Sequence, residues 1–146
     1  MTLPLWLVPH DLSDVSNAAA AEAARMATAS GGRLFLLNVH PREERAPFER
    51  DGKETWAIEE EKRAMLRMVS DRLRAAHPGL QVDVEVLPGD PQARILEEAD
   101  RLGATHIVVG THDRKGLERL VLGSVAEAVV HRASIPVVVV KAPALH

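Results

Sequence analysis

Hydrophobic and polar positions follow two patterns along the chain, and together they predict a series of strands and helices. Short runs rich in valine, isoleucine and leucine predict five strands, at residues 5–8, 34–39, 82–87, 106–109 and 136–140. The longer stretches between them are alanine-rich or amphipathic and predict four helices, at residues 14–30, 55–77, 90–103 and 124–133. The predicted order is therefore strand then helix, four times, followed by a fifth strand.

Residues that favour helix starts lie at the boundaries of the predicted helices. Ser13 precedes the first helix and is expected to cap it. Asp90 followed by Pro91 is a capping residue with proline at the first helical position. Ser124 and Glu127 have the spacing of a capping box, so we expect the Ser124 side chain to cap the fourth helix.

The predicted strands are of two kinds. The first, second, fourth and fifth are nearly continuous apolar runs, as expected for buried strands with helices on both faces of the sheet. The third alternates valine with Asp83 and Glu85, which predicts an edge strand with one wet face. Because each crossover contains a dozen residues or more, the strands are expected to run parallel. We predict one doubly wound α/β domain spanning residues 1–146.

Composition and charge narrow the class of protein. The 146 residues are 46% hydrophobic and 27% charged, which is typical of a soluble globular domain. A formal net charge of −3 argues against a general nucleic-acid or membrane-surface binder, which needs a basic face. The absence of cysteine excludes disulfides, thiolate nucleophiles and cysteine-ligated zinc. No apolar run reaches the length of a membrane span and the first residues lack a basic signal region, so we expect a cytoplasmic protein.

Candidate chemistry lies where the strands end, because open α/β sheets bind ligands beyond the carboxyl ends of their strands. Pro9, His10 and Asp11 follow the first strand, His40 follows the second, and a segment beginning at Gly110 follows the fourth. Neither the GxGxxG dinucleotide fingerprint nor the GxxxxGK[ST] phosphate loop occurs in the sequence. A nucleotide would therefore have to be held in another way.

Gly123 and Ser124 open the fourth helix and offer another kind of anion site. The free N–H groups and positive dipole end of a helix attract phosphates. Glycine before a helix and serine at its cap also need no ligand. On these two residues alone, a structural cap is the first interpretation and a phosphate site is the second.

Several short motifs occur in a fixed order along nearly the whole chain. They are LVPHDLS at 7–13, LLNV at 36–39, GDP at 89–91, GTHDRKGLERLVLGSVAE at 110–127 and IPVVVV at 135–140. In this order and spacing the sequence resembles the universal stress proteins. The resemblance implies a five-stranded parallel sheet in the order 3-2-1-4-5, with helices on both faces, and a non-catalytic regulator of the stress response.

The resemblance extends to the nucleotide-binding motif of that family, with one departure. ATP-binding members carry G-x2-G-x9-G-[ST] after the fourth strand, and here Asp113 stands in place of the second glycine. In such members this loop holds the phosphates, and an aspartate matching Asp11 contacts the nucleoside. The resemblance, with the neighbouring histidines included, implies an adenine-nucleotide site formed by Pro9, His10, Asp11, Val39, Gly110, His112, Asp113, Gly123, Ser124 and Val125.

Asp113 leaves more than one function open. Its carboxylate would repel a phosphate by roughly 1–4 kcal/mol at a separation of about 4 Å, which Arg114, Lys115 or bound Mg²⁺ would offset. The first function is a regulator that binds ATP or another adenine nucleotide such as AMP. The alternatives are a universal stress protein that acts through protein contacts without a nucleotide, and a weak ATP hydrolase. The GxSxG nucleophile motif does not occur, so we do not expect a dedicated enzyme.

Three histidines form a separate candidate site. His10, His40 and His112 follow three strands that are neighbours in the order implied by the resemblance. With Asp11 and Asp113 nearby, they offer imidazole and carboxylate ligands for Zn, Ni or Mn. The alternative is that they are solvated loop histidines without a ligand.

The last strand predicts a partner. Its valine-rich run lies at a sheet edge in this topology, and only residues 141–146 follow it. Exposed edges of this kind aggregate unless they are paired or covered. The family pairs this strand in a homodimer, so we expect one through Pro136, Val137, Val138, Val139 and Val140. A regulator also needs a further protein partner, which the sequence does not identify.

Overall fold

In the computed structural model, residues 3–41, 53–112 and 122–142 are described, with residues 53–57 and 112 described by their backbone alone. Every predicted strand and helix is present in these ranges, with limits that differ from the predicted ones by a few residues. The elements are β1 (Leu5–Pro9), α1 (Asp14–Ser30), β2 (Arg33–His40), α2 (Lys53–Ala76), β3 (Val82–Pro88), α3 (Pro91–Leu102), β4 (His106–His112), α4 (Ser124–Arg132) and β5 (Val137–Ala142).

The strands form one parallel sheet in the order β3-β2-β1-β4-β5. Leu7 in the middle of β1 pairs with Phe35 of β2 on one side and with Ile107 of β4 on the other. The chain runs outward from β1 to β3, crosses back over β1, and then runs outward to β5. The predicted doubly wound sheet is confirmed, and its connections diverge between β1 and β4, where such folds bind ligands.

Two apolar layers cover the faces of the sheet. On one face, side chains such as Val8 and Leu36 pack with α1 and α2, and on the other, Leu7 and Leu37 pack with α3 and α4. Successive residues of a strand point to opposite faces, so each buried strand contributes to both layers. Among the described residues, no helix is both long enough and apolar enough to cross a membrane.

Helix α1 packs closely on the sheet because its inner face is made of alanine. These side chains are completely buried: Ala19, Ala20, Ala23, Ala24 and Ala27. As predicted, Ser13 caps the helix, and its hydroxyl accepts a hydrogen bond from the backbone N–H of Ser16 at 3.2 Å. The capped first turn of α1 therefore lies in a fixed position beside the end of β1.

Helix α4 begins differently from the prediction. Gly123 is the N-cap residue, with an extended backbone (φ −64°, ψ 163°), and its carbonyl accepts the N–H of Glu127 at 2.9 Å. Ser124 is already the first helical residue, so its side chain is past the capping position. The predicted capping box of Ser124 and Glu127 is therefore wrong, and α4 has no side-chain cap.

The prediction that the fifth strand is buried is also wrong. Val137, Val138, Val139 and Val140 are only partly buried, because β5 lies at the edge of the sheet and pairs with β4 on one side. The edge position agrees with the expectation that rested on the family topology. The third strand lies at the opposite edge, as its alternating pattern predicted.

Candidate functional site

A cleft of about 460 Å³ opens at the carboxyl edge of the sheet, at the divergence between β1 and β4. The loop from β1 to α1 and the end of β2 form one side of it. The carboxyl end of β4 and the starts of α3 and α4 form the other side. Its size lies within the range of about 300–1,000 Å³ that is usual for small-molecule sites.

Most of the residues predicted to bind a nucleotide line this cleft. They come from four separate parts of the chain and are Pro9, His10, Asp11, Val39, Gly110, Gly123, Ser124 and Val125. The backbone of His112 ends β4, while its side chain and the whole of Asp113 lie outside the described residues.

The Asp11 carboxylate is held in place by the start of α1. Its Oδ1 accepts hydrogen bonds from the Ser13 N–H at 3.0 Å and the Ser16 hydroxyl at 2.7 Å. Partial burial acts to raise the pKa of Asp11, but these hydrogen bonds outweigh it and bring the pKa below its usual range. Asp11 is therefore an anion at neutral pH with a fixed orientation at the cleft.

His10 is buried beside Asp11, with only 2% of its surface exposed. Its Nδ1 accepts a hydrogen bond from the Leu12 N–H at 3.0 Å, and its Nε2 lies 2.9 Å from Asn17 Oδ1. Because Nδ1 accepts, the neutral ring carries its proton on Nε2 and donates it to Asn17. Burial lowers the pKa of His10, although the Asn17 hydrogen bond and the Asp11 charge act in the opposite direction.

Two of the three histidines predicted as possible metal ligands, His10 and His40, make other contacts, and the side chain of His112 lies outside the described residues. Both ring nitrogens of His10 are engaged by protein groups, which leaves no lone pair for a metal ion. The Nε2 of the buried His40 lies 3.4 Å from Glu59 Oε1. Among the described residues, no group of three or more histidine, aspartate or glutamate side chains is arranged to hold a metal ion.

Gly110 has a packing role at the centre of the site. A Cβ atom at this position would lie 2.6 Å from Val15 Cγ1 and 2.6 Å from Val15 O. The first turn of α1 can therefore approach the end of β4 only because residue 110 lacks a side chain. This contact holds the loop between β1 and α1, which carries Asp11, close to the end of β4, so that both line the same cleft.

The start of α4 faces the cleft with exposed Gly123 and Ser124. Gly123 has no side chain that could cap the helix, and no side chain among the described residues accepts a hydrogen bond from the first N–H groups of α4. These groups and the helix dipole favour an anion at this end of the cleft. Lys62 of α2 also lines the cleft and adds a positive charge to its wall.

Several lining residues were not predicted. Asn38 is buried, lines the cleft and donates from Nδ2 to the carbonyl of His10 at 2.8 Å. Asn38 could have been predicted as a site residue, because it is a polar residue within the otherwise apolar second strand. Lys62, Pro91 and Ile95 reach the cleft from α2 and α3, and only the packing of these helices reveals their position.

The fold places this chain among doubly wound α/β proteins, and its cleft lies at the topological switch point of the sheet. The profile of the "Universal stress protein family" matches residues 6–141. The chain belongs to the universal stress protein family. This confirms the resemblance drawn from its motifs.

Individual relatives show the same similarity. The chain is 34% identical to Universal stress protein MJ0531 of Methanocaldococcus jannaschii, with 94% of this chain and 81% of that protein covered. It spans less than half the length, 44%, of the mycobacterial universal stress proteins it matches.

Solved structures agree with this assignment. Hypothetical protein MJ0577 superposes with a TM-score of 0.75 at 26% identity over 97% of both chains. A universal stress protein in complex with cAMP superposes with a TM-score of 0.69 at 26% identity, over 97% of this chain and 99% of that chain.

Proposed function

We propose that this universal stress protein binds an adenine nucleotide, ATP or AMP, in the cleft between β1 and β4 and acts as a non-catalytic regulator of the stress response. The observation that carries the proposal is the pairing of the exposed, uncapped start of α4 with the fixed Asp11 carboxylate in one cleft. A related universal stress protein forms a complex with cAMP, which supports the same class of ligand.

Each part of the cleft suits a part of the nucleotide. The N–H groups at Gly123 and Ser124 favour the phosphates. Asp11 is an acceptor for the ribose hydroxyls, which are donors that a carboxylate binds well. Val39 and Val125 offer apolar contacts for the base. Mg²⁺ would accompany a polyphosphate, whose charge Lys62 alone does not balance.

The described residues favour binding rather than catalysis. A hydrolase needs a general base that can reach and activate water. His10 is buried and uses both ring nitrogens, and the lowered pKa of Asp11 makes its carboxylate a weak base. Nucleotide binding therefore acts through the conformation or the contacts of the protein.

Calorimetric titration with ATP and with AMP, each with and without Mg²⁺, tests the proposal. We expect Asp11→Ala to weaken binding about tenfold or more, as for the loss of a charge-assisted hydrogen bond. Asp14→Ala is the matched control, because Asp14 is exposed, lies on the same turn and does not line the cleft. Equal affinity of Asp11→Ala and the wild type would overturn the assignment of Asp11.

Two further measurements distinguish the alternatives. If the wild type binds no nucleotide and the Asp113→Gly variant binds ATP, the protein is a universal stress protein that acts through protein contacts. Phosphate release from ATP above the level of Asp11→Ala and Ser124→Ala would indicate a weak hydrolase. Neither outcome is expected.

We also propose that the protein is a homodimer through β5. The support is the partial burial of its four valines and its position at the edge of the sheet, with β4 as its partner strand. A second copy would cover this apolar edge.

A further inference from the structure

We propose that His10 is a positioning residue, whose neutral, Nε2-protonated ring holds the Asp11 loop in its ligand-binding conformation, and that protonation of His10 weakens nucleotide binding. The ligand part of this inference rests on the proposed function. The part that concerns the loop rests on the geometry of the described residues alone.

His10 contacts three parts of the structure around the cleft, namely β2, the loop between β1 and α1, and α1. Its backbone N–H donates to the Leu37 carbonyl of β2 at 2.8 Å, and its own carbonyl accepts from Asn38 Nδ2 at 2.8 Å. Its ring contacts Leu12 in the loop and Asn17 in α1. The residue that precedes Asp11 is therefore fixed by both its backbone and its side chain.

The turn that His10 holds is strained. Leu12 has φ +70°, and it is the one residue other than glycine with a positive φ among the described residues. This conformation is unfavourable for an L-residue, because it brings Cβ too close to the following carbonyl oxygen. The hydrogen bond from the Leu12 N–H to His10 Nδ1 offsets part of that strain. The same turn places Asp11 on one side of Leu12 and the capping Ser13 on the other.

Protonation would remove the acceptor on which this turn depends. A proton from solvent would add to Nδ1, and the resulting N–H would face the Leu12 N–H, so that two donors meet. No other covalent bond is made or broken. The Leu12 N–H would lose its partner, and the strained turn would relax and move Asp11 with it.

The charges around the ring act in both directions. Asp11 in the loop favours the protonated ring, and Arg72 on α2 opposes it. His40 on β2 and Lys62 on α2 also line the cleft and are charged or titratable. Burial is the largest influence on the pKa of His10, and it lowers that pKa. The neutral form is therefore the resting form at neutral pH, and the effect appears as the pH falls below the ordinary histidine range.

Two substitutions separate the roles of the ring nitrogens. In His10→Asn, the amide Oδ1 is as many bonds from Cβ as Nδ1 and can accept from Leu12, but it does not titrate. In His10→Gln, the amide nitrogen is at the same bond count as Nε2 and can donate to Asn17, while the acceptor for Leu12 is lost. His131→Asn is the control, because His131 is an exposed residue of α4 that does not line the cleft.

The first measurement is calorimetric titration with ATP and with AMP between pH 7.5 and pH 5.0. We expect wild-type affinity to fall by up to about tenfold per pH unit once His10 titrates, as for uptake of one proton. His10→Asn should bind at pH 7.5 like the wild type and lose most of this dependence. His10→Gln should bind more weakly at every pH, and His131→Asn should follow the wild type. The nucleotide phosphates titrate alike in all these proteins, so the differences isolate His10.

A second measurement does not depend on nucleotide binding. NMR of the imidazole nitrogens should show an Nε2–H ring for His10 in the ligand-free protein. The protection factor of the Leu12 amide, which is its exchange rate corrected for the intrinsic pH dependence of amide exchange, should fall on acidification in the wild type but not in His10→Asn. An Nδ1–H ring, or a Leu12 protection factor that does not change with pH, would overturn the proposal even if His10→Asn failed to fold.

The outcomes distinguish this proposal from the proposed function. If the protein binds no nucleotide at any pH but shows the expected NMR behaviour, the proposed nucleotide function is wrong. The role of His10 in holding the loop would still be supported. Nucleotide binding with an unchanged pH profile in His10→Asn would contradict the role of His10 and assign the pH dependence to another group.

Discussion

Gly110 of β4 lies so close to Val15 of α1 that a Cβ atom at residue 110 would be 2.6 Å from both the Val15 Cγ1 and the Val15 carbonyl oxygen. One of these contacts is with backbone, which cannot rotate away. A glycine that the family motif associates with a phosphate loop is therefore also required by the packing of the first helix against the fourth strand.

Gly110→Ala should destabilise the protein by about 1–3 kcal/mol, the usual cost of overpacking a rigid site. The measurement is urea unfolding followed by circular dichroism. The matched control is Gly123→Ala, since a Cβ there meets no atom within 4 Å. If Gly110→Ala were as stable as that control, the close approach of Val15 would be contradicted.

Much of the fold could be predicted from the sequence because hydrophobic pattern determines it locally. The strands are apolar runs with clear limits, and Ser13, Pro91 and the alanine face of α1 encode helix starts and packing. The start of α4 could not be predicted, because Gly123 and Ser124 are both acceptable caps and one residue of register decides between them. The burial of β5 depends on whether strands lie on both sides of it. The order of strands in the sheet determines this, and the apolar run of β5 does not reveal it.

The site was predictable only in part, for a related reason. Residues that follow strands could be placed at the cleft from topology alone. The two hydrogen bonds of the His10 ring and the positive φ of Leu12 depend on three-dimensional arrangement, so a strand-end histidine appeared as a possible metal ligand.

Gly123→Ser should stabilise the protein and weaken nucleotide binding at the same time. A serine at the N-cap accepts a hydrogen bond from the second or third helical N–H and adds a few tenths of a kcal/mol. That N–H is then no longer free for a phosphate, so we expect affinity for ATP to fall several-fold. Thermal unfolding and calorimetry measure the two effects. Tighter ATP binding in this variant would contradict a phosphate position at the start of α4.

The pH dependence of stability should contain a contribution from Asp11. Hydrogen bonds from Ser13 and Ser16 lower its pKa in the folded state, so the folded protein holds this proton less tightly than the unfolded chain. The stabilisation is therefore present above the unfolded pKa, about 4 for aspartate, and is lost as the pH falls through the folded value.

Asp11→Asn tests this contribution through urea unfolding at pH 7 and at pH 3. The free energy of unfolding should fall less between these pH values in the variant than in the wild type. Asp14→Asn should retain the wild-type slope, because Asp14 lies on the same turn and is exposed like Asp11 but its side chain makes no hydrogen bond among the described residues. A slope in Asp11→Asn equal to that of the wild type would place the acid sensitivity in other carboxylates.

Val138→Lys should convert the proposed dimer into a monomer. Val138 is a half-buried residue in the middle of β5, and a lysine there would put a charge on the edge that a second copy has to cover. Val130→Lys is the matched control, because Val130 is an exposed valine of α4 at 38% exposure. Sedimentation at micromolar concentration should give a dimer for the wild type and for Val130→Lys, and a monomer for Val138→Lys.

Circular dichroism is needed to verify that Val138→Lys is still folded, because Val138 also packs against the layer formed by α1 and α2. A folded Val138→Lys that sediments as a dimer would exclude β5 from the interface, and a monomeric wild type would exclude the dimer itself.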